Sequence, residues 1–417
     1  MAKPSSSTAA AAEPAFDLEA DIVVIGGGLA GLPFAIGCAV GGLRTIVIDR
    51  EAPSEQLAEP FDGRSSAIAY GSQRVLDGLG IWRHVAAAQP ILDIRVADQG
   101  SPLFLHYDHR EVGDQPFGWI AENRAIRHAL HERLAELPDL TLLAPMQPGR
   151  IDREAERVVV ELADGRRLRA RLAVAADGRN SPLRRDAGIR AFATEYAQTA
   201  ITGTIAHEKP HHGVAVEHFL AAGPFAILPM TGNRSSIVWT ERADVAPMMM
   251  RLDADGFRRE VARRVGGFLG AIEWVGPRWS YPLQVLYADR VTDRRLALIG
   301  DAAHVIHPIA GQGLNLGIRD AASLAELVVD AGRLGLDPGS ADILGRYRRW
   351  RRLDTLALTA VTDGLNRLFS NDLPPLRLAR DLGLALVDRA PPLKRLFMRH
   401  AMGVVGPQPR LVRGEAL

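Results

Sequence analysis

Cysteine is all but missing from this chain. Cys38 is the single one among 417 residues, so no internal disulfide can form and a reducing compartment fits. Long apolar runs are missing as well: no uninterrupted stretch approaches the roughly 20 residues of a membrane-spanning helix. Net charge is nearly absent, 50 Lys and Arg against 49 Asp and Glu, which removes the pull that draws a basic protein to nucleic acid. The opening MAKPSSSTAAAAEPAFDLEA has neither the basic n-region nor the long apolar h-region of a secretory signal. Residues 1–17 read as a flexible tail. The expectation is a cytoplasmic protein with no nucleic-acid partner and no metal.

What is present is patterned. Hydrophobic content of 47% with 24% charged residues is that of an ordinary globular chain. DIVVI (21–25) is a short apolar run of the kind a buried parallel strand gives. Glycines follow, then a helical pattern through LPFAIGCAVGG, then a second strand, LRTIVIDR (43–50), which completes a βαβ unit. RVVVELADGRRLRARLAVAADG (157–178) reads as two strands joined at Asp164-Gly165. Residues 199–240 alternate apolar and polar positions, with PFAILPM and SSIVWTE as strands, and DGFRREVARRVGGFLGAIE reads as a helix. From Leu314 onward the pattern is helical, broken at Pro374-Pro375 and Pro391-Pro392. The order predicts an α/β fold with an α+β insert. Segments 18–75, 115–186 and 285–345 would form a Rossmann-like nucleotide-binding domain with a parallel sheet. Segments 76–114 and 187–284 would form a mostly antiparallel second domain, and 346–417 a helical C-terminal region.

VVIGGGLAG places Gly26, Gly28 and Gly31 in a G-x-G-x-x-G frame between strand and helix. Gly26 permits the tight turn, Gly28 lets a pyrophosphate approach the backbone, and Gly31 allows close helix–strand packing. Asp49 ends the second strand, where a carboxylate can accept hydrogen bonds from an adenosine ribose. A glycine-rich turn alone would leave the ligand open; two strands, a helix and Asp49 together argue for dinucleotide binding. Two further strand ends carry carboxylates, Asp177 in AADGRNSPLRR and Asp301 in GDAAHVIHPIAGQGLN. Asp177-Gly178 by itself fits a surface turn equally well. Asp301 can accept hydrogen bonds from a polyol such as a flavin ribityl chain. Gly311, Gln312 and Gly313 can bring backbone N–H groups, and a helix N-terminus, against the flavin ring edge that becomes negative on reduction.

These three stretches together resemble the FAD-dependent aromatic monooxygenases of the p-hydroxybenzoate hydroxylase type. GDAAHVIHPIAGQGLNLGIRD, EHFLAAGPFAILPM, GRSSAIAYGSQRVLDGLGIW and GWIAENRAIRHAL resemble the ubiquinone-biosynthesis hydroxylase branch within them. The resemblance spans Asp21 to Gly403. It implies that Gly26, Gly28 and Gly31 hold the FAD pyrophosphate and that Asp49, with Arg50 beside it, lies at the adenosine ribose. It implies further that Arg64 meets the phosphates, that Asn123 or Arg124 touches the FAD linker, and that Asp177 with Arg184 serves both FAD and NADPH. Asp301 would bind the ribityl chain, Gly311, Gln312, Gly313, Leu314 and Asn315 the isoalloxazine edge, and His307-Pro308 would border the substrate ring.

The implied reaction is reduction of FAD by transiently bound NAD(P)H, capture of O2 as a flavin C4a-hydroperoxide, and hydroxylation of a polyprenylated phenol on the ubiquinone route. Tyr281, His304 and His307 are candidates by location for the group that deprotonates the phenol, though each fits a packed structural role as well. Phe219, Leu228, Pro229 and Trp239 could line an apolar pocket with Pro308. YRRWRRLD and PPLKRLFMRHAMG combine basic and apolar residues, which fits either a peripheral membrane or biosynthetic-complex contact, or solvated helices with Trp350 and Phe397 packed inward. An FAD-dependent prenyl reductase and a non-catalytic flavoprotein scaffold are the competing readings.

Overall fold

The computed structural model describes residues 15–58, 64–98, 104–308, 311–352, 387 and 389–417. At its centre is a six-stranded sheet in the order Thr292–Asp293, Leu296–Leu298, Leu172–Ala175, Ile22–Ile25, Thr45–Ile48 and Leu140–Leu143. Every pair is parallel except the Thr292–Asp293 edge. The inner strands are short apolar runs because both faces are covered. Ile22 and Val24 enter one core, beneath the helices Gly31–Val40 and Gln312–Arg333. Val23 and Ile25 enter another, under a four-stranded sheet that includes Val158–Leu162 and Arg167–Ala170. Each fully buried Ile or Val contributes about 1.5–3 kcal/mol, so the layering follows from the alternation.

The segment 157–178 makes three strands, not two. The hairpin Val158–Leu162/Arg167–Ala170 belongs to the covering sheet. Arg171 then donates its N–H to the Asp21 carbonyl, and Leu172–Ala175 joins the central sheet beside Ile22–Ile25.

The second large unit is an eight-stranded sheet in which two 17-residue strands, Ala191–His207 and Ile272–Ala288, pair antiparallel with register shifts along their length. One face packs on the helices Ala246–Arg251 and Ala254–Val265. The latter stops well short of the helix expected there, because Gly266 turns to φ +75°. The other face, from strands Asp93–Asp98, Val214–Leu220 and Gly223–Met230, packs toward the three-stranded sheet of Ser65–Ala69, Gly118–Glu122 and Ala88–Ile91 and the helix Pro391–Ala401. The 22-residue helix opens at Gln312, two residues before the expected Leu314. Pro374-Pro375 lies outside the described residues.

Candidate functional site

The three glycines of the first motif are separated by what surrounds them. Gly26 sits at φ +104°, and a Cβ there would lie 2.3 Å from the Ala176 carbonyl oxygen. A Cβ on Gly31 would lie 2.0 Å from the Gly26 carbonyl oxygen. Both are therefore required by the fold itself. Gly28 differs: nothing lies within 4 Å of where its Cβ would be. The loop is pinned by Asp49, whose two oxygens accept the N–H groups of Gly27 and Glu51. Arg50 lies on the surface, 3.3 Å from Glu51. The helix Gly31–Val40 begins without a side-chain cap or an acidic residue in its first turn, which leaves its positive end available to an anion.

Two carboxylates stand at the ends of neighbouring parallel strands, where ligands of such sheets bind. Asp177 follows Leu172–Ala175 and accepts the Leu183 N–H at 3.2 Å. Its other oxygen is buried with no hydrogen-bond partner among the described residues. Burial raises its carboxyl above the ordinary carboxylate range, against the pull of Ser181, nearby backbone donors and Arg184. Arg184 is an internal brace, donating 2.8 Å hydrogen bonds to the carbonyls of Ala302 and Arg179. Asp301 lies in the turn Gly300–Ala302. Its side chain opens to solvent while protein crowds it from behind, and that crowding raises its carboxyl although His304, Arg64 and Arg179 pull downward.

The third motif is drawn onto the first by close packing. A Cβ on Gly300 would meet the Ala30 Cβ at 3.0 Å, and one on Gly317 would meet Gly300 Cα at 3.3 Å. Gly311 caps the long helix at φ +62° with no side-chain cap, and a Cβ there would press on Ala67 at 2.9 Å. Asn315 stitches this helix start to the strand Ser65–Ala69: it accepts the Ala69 N–H at 2.9 Å and donates to the Ala67 carbonyl at 2.8 Å. Gln312 is buried beside it, and Gly313 and Leu314 complete the first turn.

A family model described as the FAD binding domain matches residues 19–352. The chain belongs to the FAD-binding-domain family. It is 53% identical over 405 residues to the ubiquinone hydroxylase UbiL of Rhodospirillum rubrum, covering 96% of this chain and 94% of that protein. It is 33% identical over 386 residues to the 3-demethoxyubiquinol 3-hydroxylase of Escherichia coli, covering 92% and 98%. Among solved structures, p-nitrophenol 4-monooxygenase PnpA from Pseudomonas putida superposes with a TM-score of 0.78 at 20% identity, covering 94% of this chain and all of that one. The last likeness establishes the shared fold.

The geometry of this FAD-binding-domain chain fits the cofactor. The open space over Gly28 is a cradle, one Asp177 oxygen has no hydrogen-bond partner among the described residues, and Asp301 is exposed at the end of the neighbouring strand. Asn123 is buried and accepts the Ser66 hydroxyl at 2.6 Å while its N–H binds the Arg64 carbonyl. Arg124 and Arg64 are exposed, and the Arg64 guanidinium lies 4.9 Å from the Tyr281 ring centroid.

The candidates on the substrate side separate. His304 is buried and bonded at 2.6 Å to Asp320, which also accepts the Gly300 N–H and the Arg351 guanidinium. Burial raises the Asp320 carboxyl, but the charges and hydrogen bonds of His304 and Arg351 outweigh it and bring it down to about 2. His304 thus holds the turn that carries Asp301. His307 is buried edge-on against Tyr196 at 5.2 Å, next to half-buried Pro308. Phe219 and Leu228 lie on the sheet face directed toward the helix Pro391–Ala401. Pro229 and Trp239 point to the opposite face, and Trp239 is enclosed by Phe225, Phe257 and Arg264. Sequence reasoning missed Asp320 and Arg351.

Proposed function

We propose that this chain is an FAD-dependent monooxygenase that hydroxylates the aromatic ring of a polyprenylated phenol on the way to ubiquinone, using NAD(P)H and O2. The observation that carries this reading is the 53% identity to a ubiquinone hydroxylase along 96% of the chain. Bound FAD supplies the route by which electrons from NAD(P)H activate O2. Gly28 leaves its backbone open to a pyrophosphate, Asp49 and Asp301 offer acceptors to hydroxyl groups, and the N-termini of Gly31–Val40 and Gln312–Arg333 supply positive potential. The apolar face bearing Ala215, Phe219 and Leu228 excludes water from the ring, and Pro308 borders it. Segments 18–75, 115–186 and 285–345 serve as the FAD domain, and 76–114 with 187–284 as the substrate domain.

The chain works in the cytoplasm, with a peripheral contact through its C-terminal region. In support, the helix Pro391–Ala401 exposes Leu396 and Phe397 beside Arg395 and Arg399. Phe397 is 42% exposed and so is not packed inward, whereas Trp350 is half-buried and donates to the Pro407 carbonyl. No helix among the described residues is long and apolar enough to cross a membrane. The test is whether purified protein carries yellow FAD and couples NAD(P)H and O2 consumption to added prenylphenol. Consumption that prenylphenol does not stimulate contradicts the proposal, and FAD without any turnover favours the scaffold reading.

A further inference from the structure

The strand Val214–Leu220 places one carboxylate where the surrounding structure gives it no work. Glu217 lies opposite Ala226 on one neighbour and Val96 on the other. Strand alternation puts it on the same face as Ala215 and Phe219. Ala215 packs in the cluster that includes Met230, Met398 and Ala67, and Ala67 is the residue a Cβ on Gly311 would press upon. Glu217 therefore stands one pleat, roughly 7 Å, along the sheet from Ala215, a member of the cluster against which Ala67 packs. Among the described residues it has neither an ion pair nor a hydrogen-bond partner, yet its side chain is half-buried rather than at the free surface. A carboxylate held among apolar neighbours without a donor is disfavoured, so its presence calls for a ligand that brings one.

Resting on the function proposed above, we infer that Glu217 accepts the phenolic hydroxyl of the substrate and takes its proton as the ring is attacked. The phenol O–H bond breaks, its electron pair stays on the oxygen, and the proton lands on a Glu217 carboxylate oxygen. The ring becomes more electron-rich as it reacts. Among the described residues, few titratable groups share this face. Asp98 lies opposite Phe219, Tyr107 lies opposite Ile94, and Lys394 from the helix Pro391–Ala401 is engaged by Glu111 at 2.9 Å. Arg95 and His218 alternate to the other face. With no cation paired to it among the described residues, burial raises the Glu217 carboxyl to about 7, where a general base works well near neutral pH.

The test uses the FAD-loaded enzyme, Glu217→Gln and Glu217→Asp, with 2-geranylphenol as probe. Binding of the probe is read from the flavin spectrum, and ring hydroxylation from product mass, across the pH range. Glu217→Gln should bind the probe within a few-fold of wild type and hydroxylate it roughly 100-fold more slowly. The wild-type rate should rise through pH about 7. That limb should vanish in Glu217→Gln and persist, at lower rate, in Glu217→Asp, which also carries the test if the glutamine variant loads FAD poorly. An unchanged rate in Glu217→Gln, or a lowered rate with the limb intact, overturns the inference alone. A wild-type enzyme that leaves the phenol ring untouched overturns the proposed function, and the inference with it.

Discussion

Asp320 and His304 meet at 2.6 Å with each side chain only 2% exposed. Their contact holds the Gly300–Ala302 turn, because the same Asp320 oxygen accepts the Gly300 N–H. The exposed carboxylate of this turn, Asp301, is positioned by a buried one. Replacing Asp320 with Asn leaves Arg351 and His304 facing a neutral group. We expect a loss of about 3–5 kcal/mol, the cost typical of breaking a buried ion pair. Chemical denaturation measures it, and a loss below about 1 kcal/mol would contradict the clamp. The contribution is present above the ordinary aspartate value of 3.8 and is lost as pH falls through about 2.

The motif glycines should divide into two phenotypes. Gly28→Val should fold with near-wild-type stability, because nothing lies within 4 Å of the new Cβ, and should purify colourless. Gly26→Ala and Gly31→Ala drive a Cβ to 2.3 and 2.0 Å from backbone oxygens and should compromise folding. Flavin absorbance alongside thermal unfolding distinguishes them. A Gly28→Val protein that retains full yellow absorbance contradicts the cradle.

Asp301→Ala should fold, because the side chain is exposed, and should bind FAD more weakly. The loss of one such acceptor costs on the order of 1–3 kcal/mol, roughly 5- to 150-fold in affinity. Titration of the apoprotein with FAD is the check, and an unchanged affinity counts against a ribityl contact.

Glu217 should make the fold pH-sensitive in the opposite sense to Asp320. Its carboxyl titrates at about 7 when folded, against an ordinary value of 4.5. The folded state therefore binds more protons between these values, and stability falls as pH rises through that window. Glu217→Gln removes the penalty. Denaturation at pH 8 should show it more stable than wild type by up to about 3 kcal/mol, with no difference at pH 4. A variant equally stable at both pH values would contradict the burial of Glu217 as an unpaired carboxyl.

The strands and turns of the nucleotide-binding half were legible because their physics is local. Asp49, Asp177 and Asp301 follow apolar strands, and G-x-G-x-x-G must open a helix, so a single window carries each signal. What was hidden depends on register and sequence distance. Nothing in SSIVWTE tells which face Trp239 takes, since its neighbours alternate with no clear polar side. Its pairing with Phe225 and packing on Phe257 decide that. The GQGLN window gives no sign that the Asn315 amide also holds a strand some 246 residues away. The hairpin at Asp164-Gly165 was visible, whereas the hop at Arg171 into another sheet hangs on a backbone bond to Asp21.

The central claim, ring hydroxylation by dioxygen, is tested most directly with isotopically labelled O2. Purified protein, NAD(P)H and a prenylphenol are incubated under the labelled gas, and the product is weighed by mass spectrometry. The account predicts one labelled oxygen in a new ring hydroxyl for each product molecule. Product hydroxyl carrying oxygen from water, or an untouched ring with a reduced prenyl double bond, would contradict it.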